Sequence, residues 1–230
     1  MNYDAIFFDI GNTLFFYNYD FLRELLVDRF GALVGTDELE EAHRVTIRTL
    51  IAERVPLKGQ DVLWRETYSR WFRLIGIDED RIGEAMDAVR THPFRHLFWA
   101  RMEEGTTETL DWFRERGLRL GVISNAEGQI KRLIEHVGLD SRFEVIIDSG
   151  VVGVSKPDER IFKQALGAVG AEPARSIYVG DLYDIDVAGS RRVGMTPILV
   201  DRESRQKEPG CLTVARVADL PALKIFSGIA

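Results

Sequence analysis

Two rhythms of apolar residues run along this chain. Residues 3–9 (YDAIFFD) form a short, aromatic-rich run that ends in an acid and meets Gly11 and Asn12 at once, which predicts a buried strand bounded by a turn. From Tyr19 to about Met102 the spacing is helical. One stripe holds Phe21, Leu22, Leu25, Leu26 and Phe30, and a second holds Leu39, Ala42, His43, Thr46, Ile47 and Leu50. A third holds Trp64, Tyr68, Trp71, Phe72 and Ile75, and a fourth runs through Ile82, Met86 and Val89 toward the 94–99 region. Gly31 and Gly35, Pro56 and Gly59, then Gly76 and Asp78 punctuate these stripes, so a bundle of four helices with no strand between them is expected.

After Gly105 strands and helices alternate. Helices are expected over 107–116, 129–137, 157–169 and 185–193, with strands over 118–123, 143–147, 176–179 and 197–200; the polar stretch 201–210 reads as a loop. Such alternation implies an α/β fold with a mainly parallel, Rossmann-like sheet covered by helices on both faces, in strand order 5-4-1-2-3.

Composition narrows the setting. The 230 residues are 45% hydrophobic and carry a net charge of −7, with acidic and basic residues interleaved, which argues against nucleic acid as a partner. No stretch approaches the roughly 20 apolar residues of a membrane helix, and the first ten residues, with Asp4 and Asp9 and no basic residue, do not resemble a signal peptide. Cys211 is the single cysteine, so no internal disulfide forms and a reducing cytoplasm is expected.

Open parallel sheets bind ligands beyond the carboxyl ends of their strands. Collected there are Asp9 from the first strand, Ser124 and Asn125 from the second, and Gly180–Asp181 after the strand at 176–179; Lys156 precedes Pro157 where a helix begins. Taken singly, each has a bland reading as a helix cap or a solvated charge. Together, in this chain order, they favour a site.

The same residues resemble the haloacid dehalogenase superfamily. FFDIGNTL around Asp9 is similar to its strand followed by DxDxT, VISN at Ser124 to its second motif, SKPD at Lys156 to its third, and GDLYDIDVAGS with Asp181 and Asp186 to its fourth. The resemblance implies a core of residues 1–16 and 101–230 with an inserted α-helical cap of residues 17–100. It also implies a phosphatase acting on a small phosphorylated metabolite through an aspartyl-phosphate at Asp9. Mg²⁺ would be held by Asp9, Asp181 and the carbonyl of Gly11, with Asp186 behind them orienting Lys156 or a metal-bound water. Lys156, Ser124 and backbone N–H groups near Asn125 at a helix start would hold the phosphoryl oxygens.

One position departs from the pattern. The family's phosphatases usually carry a second Asp two residues after the nucleophile, which protonates the leaving group, and here that residue is Gly11. Glycine keeps the carbonyl but moves no proton. General acid–base catalysis contributes about 10²–10⁴-fold. Three readings stay open. The first is a phosphatase with another proton route, through water or through Asp20, Tyr17 or Glu127. The second is other chemistry on the same frame, such as a phosphonate hydrolase using Lys58, since Gly180–Asp181 argues against dehalogenation. The third is a weakly active or inactive relative that binds a phosphorylated ligand or a protein partner. His92 and His96 stand at helical spacing without the partners of a zinc motif. Phe15, Phe16, Tyr17 and Tyr19 read as packing, Trp64, Trp71 and Trp99 as filling the cap or the seam beside it, and Asp184 as a solvent-facing acid near a helix start.

Overall fold

The computed structural model describes residues 3–53, 60–202 and 210–227. Lys58, Pro56 and Gly59 lie outside the described residues, as does most of the expected 201–210 loop. The chain divides into two compact units, one of Met1–Tyr17 with Trp99–Ala230 and one of Asn18–Phe98.

In the first unit, β1 (Ala5–Phe8), β2 (Arg119–Ser124), β3 (Val145–Asp148), β4 (Ser176–Gly180), β5 (Thr196–Val200) and β6 (Leu212–Val214) form one sheet in the order β3-β2-β1-β4-β5-β6. Every neighbouring pair is parallel. The first five strands follow the expected order, and β6 extends the β5 edge. That strand has only three residues, too few for an alternation to register.

β1 is buried on both faces, as a central parallel strand must be. Phe8, Val122 and Val179 enter one large apolar cluster with Leu110, Phe113 and Phe226. Phe7, Ile123 and Tyr178 enter the other, with Ile161 and Phe162. The helices supplying those layers include α5 (Thr106–Glu115), α6 (Ile130–His136) and α8 (Glu159–Val169). Between β3 and α8 the chain makes one further turn, α7 (Ser149–Val152), capped by the Asp148 carboxylate accepting from the Gly150 N–H at 2.9 Å. After β4 a π-helical turn, Tyr183–Val187, leads into α9 (Ala188–Arg192).

The second unit is helical: α1 (Tyr19–Phe30), α2 (Thr36–Ala52), α3 (Gln60–Leu74) and α4 (Ile82–Arg90). Asn18 caps α1 by accepting from the Phe21 N–H at 3.2 Å, and Gly31 ends it in the left-handed conformation. Trp71 is fully buried, stacks on His43 with ring centroids 4.1 Å apart, and donates its indole N–H to the Leu39 carbonyl at 2.9 Å. The His43 Nδ1 lies 3.0 Å from the Tyr19 hydroxyl. Burial among these rings lowers the His43 pKa to about 4. The fourth stripe ends at Arg90, and Arg95–Trp99 forms a separate 3₁₀ turn. His92 and His96 therefore do not share a helix; the His92 ring instead accepts the Phe94 N–H at 3.1 Å.

Candidate active site

The parallel register explains why distant residues meet. Phe8 pairs with Val179, so β1 and β4 end at the same level, and the Asp9 N–H donates to the Val179 carbonyl at 2.8 Å. Asp9 and Asp181 then leave adjacent strand ends. One carboxylate oxygen from each of Asp9, Asp181 and Asp186 lies within 4.8 Å of the others, the one such acidic cluster found among the described residues.

Asp186 reaches this point because residue 180 is glycine. A Cβ there would sit 2.4 Å from the Asp186 Cγ, closer than any side chain allows. Asp186 is fully buried, and its Oδ2 accepts the Leu182 N–H at 2.9 Å. The π turn holding it lies at the site, where such turns are often found.

Lys156 enters from the segment between α7 and α8. Asn125 pins its backbone from both sides: the Lys156 N–H donates to Asn125 Oδ1 at 2.7 Å, and Asn125 Nδ2 donates to the Lys156 carbonyl at 3.0 Å. The Lys156–Pro157 peptide is cis. The ammonium lies 2.9 Å from Asp9 Oδ1, 2.7 Å from Asp186 Oδ1 and 2.8 Å from the Tyr178 hydroxyl.

Three carboxyl groups face one ammonium here, two of them buried and Asp181 half-buried. Burial pushes the Asp9 carboxyl above the usual range, with Lys156 opposing and Asp186 adding to the rise. Burial, then the charges of Asp9 and Asp186, push Asp181 up to about 8, against the Lys156 charge and a hydrogen bond from Asn12. Burial alone would lower the Lys156 pKa, but Asp186 and Asp9 outweigh it and the value rises. Tyr178, buried beside the same acids, is raised well above its ordinary value and stays a neutral phenol.

Ser124 is buried at the end of β2, opposite Asp148 of β3. The nearby N–H groups of Ala126, Gly128 and Ile130 are engaged by Ser149 and Asp148, and α6 begins only at Ile130. The Thr13 hydroxyl is buried without a hydrogen-bond partner among the described residues. At Gly11 a Cβ would meet the Trp99 indole, with Cζ3 at 3.4 Å, and Trp99 in turn packs edge-on against Tyr17 at 5.3 Å. Of the other groups considered for proton transfer, Asp20 accepts the Thr36 hydroxyl at 2.6 Å and Glu127 is exposed. Asp184 is exposed as well.

Sequence reasoning passed over Tyr178. An aromatic inside a strand reads as core, and its hydroxyl gains meaning only once β4 lies two strands from β2.

The parallel sheet and the lysine-bridged cluster of acids at its carboxyl edge define an α/β protein whose polar centre lies where such sheets bind ligands. Residues 3–194 match the haloacid dehalogenase-like hydrolases, and the chain belongs to that family. A glyceraldehyde 3-phosphate phosphatase from Methanothermobacter thermautotrophicus is 32% identical over 215 residues, covering 89% of this chain and 88% of that protein. The haloacid dehalogenase-like hydrolase domain-containing protein 3 of Mus musculus is 35% identical over 137 residues, 60% of this chain. That match spans about half (55%) of the mouse protein. A Bacillus subtilis hydrolase of the family, solved with magnesium, superposes with a TM-score of 0.75 over 99% of this chain and 100% of that one, at 14% identity. The fold is shared across that distance. Among the described residues no helix is long and apolar enough to cross a membrane.

Proposed function

We propose that this hydrolase is a Mg²⁺-dependent phosphatase of small phosphorylated metabolites, working through an aspartyl-phosphate at Asp9. The observation that carries the reading is the acidic cluster, three carboxyl groups gathered around a single lysine. Hard oxygen donors gathered in this way fit a small divalent cation. Asp9, Asp181 and the Gly11 carbonyl would hold it, with Asp186 behind them. When bound, Mg²⁺ would neutralise the repulsion between a carboxylate and a phosphate dianion.

The chain's own residues supply the rest. Lys156 fixes one carboxylate oxygen of Asp9. A carboxylate oxygen bonds to phosphorus, the ester P–O bond breaks, and the leaving oxygen takes a proton from water, since Gly11 has none to give. Water then attacks the phosphorus of the aspartyl-phosphate, restoring the carboxylate and releasing inorganic phosphate. Ser124, with backbone N–H groups near Asn125 other than those that Ser149 and Asp148 engage, would hold the phosphoryl oxygens. Residues 17–100, which contain the helical unit, would act as the cap that excludes water, and residues 1–16 and 101–230 as the core. The phosphatase named among the relatives supports this reading, and a cytoplasmic setting suits it.

The test is hydrolysis of p-nitrophenyl phosphate with and without Mg²⁺, alongside Asp9→Asn. Turnover that needs both the metal and Asp9 is expected. Turnover that survives Asp9→Asn would overturn the proposal. A panel of phosphorylated metabolites would then find the substrate.

A further inference from the structure

The ammonium of Lys156 has three protons, and three acceptors surround it: Asp9 Oδ1, Asp186 Oδ1 and the Tyr178 oxygen, at 2.9, 2.7 and 2.8 Å. Two acceptors belong to the acid cluster. The third comes from the middle of β4 and is neutral. The Tyr178 hydroxyl has one proton of its own, which it donates to the Ile123 carbonyl at 2.9 Å. β1 pairs with β2 only as far as Phe8 opposite Val122, so Ile123 lies just past the paired stretch, and Ser124 follows it. One buried hydroxyl therefore joins the site's cation to the end of β2, with Asp186 Oδ1, 3.2 Å away, a second acceptor for the same proton. The Tyr178 ring packs edge-on against Phe162 at 5.2 Å, while three polar partners surround its hydroxyl.

We propose that Tyr178 is a positioning residue for the hydrolytic reaction: its hydroxyl completes a three-point seat for the Lys156 ammonium and thereby fixes the Asp9 carboxylate. The inference rests on the phosphatase reading for its kinetic consequence, but not for its geometry. In this arrangement every Lys156 proton is committed within the protein. The lysine acts as a fixed counter-charge to the two acids, and substrate oxygens are left to other donors. Removing the hydroxyl frees one N–H of the ammonium and orphans the Ile123 carbonyl, both in a buried place.

The experiment compares the full chain with Tyr178→Phe and Phe162→Leu, all with Mg²⁺. The first measurement is proton exchange of the Lys156 ammonium by ¹⁵N NMR, with the signal assigned by its loss in Lys156→Arg. A slowly exchanging ammonium in the parent, with exchange about tenfold or more faster in Tyr178→Phe, is expected for a lost hydrogen bond to a charged group. The second is turnover of p-nitrophenyl phosphate. For Tyr178→Phe, kcat should fall about tenfold or more with KM within about twofold, the pattern of a lost transition-state interaction. Phe162→Leu should lower the melting temperature while leaving kcat near that of the parent. Unchanged ammonium exchange in Tyr178→Phe overturns the seat, as does a loss of kcat in Phe162→Leu matching that of Tyr178→Phe. If the parent shows no Asp9-dependent hydrolysis, the phosphatase reading fails, and the exchange comparison alone still decides whether Tyr178 seats the lysine.

Discussion

The two units use burial for opposite ends. In the α/β unit, Asp9, Lys156, Asp186 and Tyr178 are buried together, and like charges meet where water cannot screen them. In the helical unit, Trp71 stacks on His43 and meets Tyr19 edge-on and Tyr68 at a tilt, and burial keeps the imidazole neutral. The first arrangement concentrates free energy that a cation and a phosphate can release. The second only stabilises. A reacting centre and a packing centre are thus told apart by whether their charges balance, not by how deep they lie.

The largest expected effect is a separation of activity from stability. Asp9→Asn should cut kcat by about 10³-fold or more. The melting temperature should stay level or rise, because the change removes one of three crowded acids while the amide oxygen can still accept from Lys156. Thermal melts beside single-turnover assays check this, and a variant that lost both together would make Asp9 part of the scaffold. Trp71→Ala is the mirror experiment. It empties a fully buried site and removes the indole hydrogen bond to the Leu39 carbonyl, and should cost about 3–5 kcal/mol by denaturant unfolding. Activity should be lost only as far as the fold is.

His43 sharpens the contrast through pH. Its pKa falls from 6.5 to about 4 on folding, so between those values the unfolded chain binds more protons than the folded one. Stability from this group is complete above pH 6.5 and is lost as the pH falls toward 4, by at most about 3 kcal/mol. Tryptophan fluorescence, which reports Trp71 against His43, should follow that loss, and His43→Gln should flatten it. Gly180→Ala should cost about 1–3 kcal/mol as Asp186 is forced aside. Mg²⁺ binding, measured by calorimetry, should weaken about 10–100-fold with it.

Much of this was legible in the chain before folding. Glycine punctuation and the two apolar periods predict the helical block and the strand–helix alternation. The habit of parallel sheets to gather polar residues at their carboxyl ends singles out Asp9, Ser124, Lys156 and Asp181. What escaped were facts of approach between distant segments. Asn125 reads as a ligand for substrate, yet its amide spans 31 positions to grip the Lys156 backbone. Tyr178 reads as strand core, yet its hydroxyl passes β1 to reach Ile123. Gly180 reads only as the partner of Asp181 at a strand end, whereas its lack of a side chain is what admits Asp186. Each depends on a distance that no periodicity encodes.

The smallest expected effect concerns Gly11, where an aromatic ring packs beside the acidic cluster. Restoring the family's usual acid with Gly11→Asp looks like a route to faster turnover, and general acid catalysis at full strength would add about 10²–10⁴-fold. The structure argues for far less. A Cβ fits in ordinary contact with Trp99 Cζ3 at 3.4 Å, but the carboxyl beyond it must find room beside an indole that also packs on Tyr17. A new carboxylate would further add negative charge to a cluster that already holds three carboxyl groups. Gly11→Asp alone should therefore change kcat for an alkyl phosphate by less than about tenfold, with aryl phosphates, whose leaving groups need no proton, changing least. Gly11→Asp with Trp99→Ala should recover more of the alkyl rate than either change alone. A single Gly11→Asp variant gaining the full factor would show that Trp99 yields easily, and that the missing acid, not the space around it, limits this enzyme.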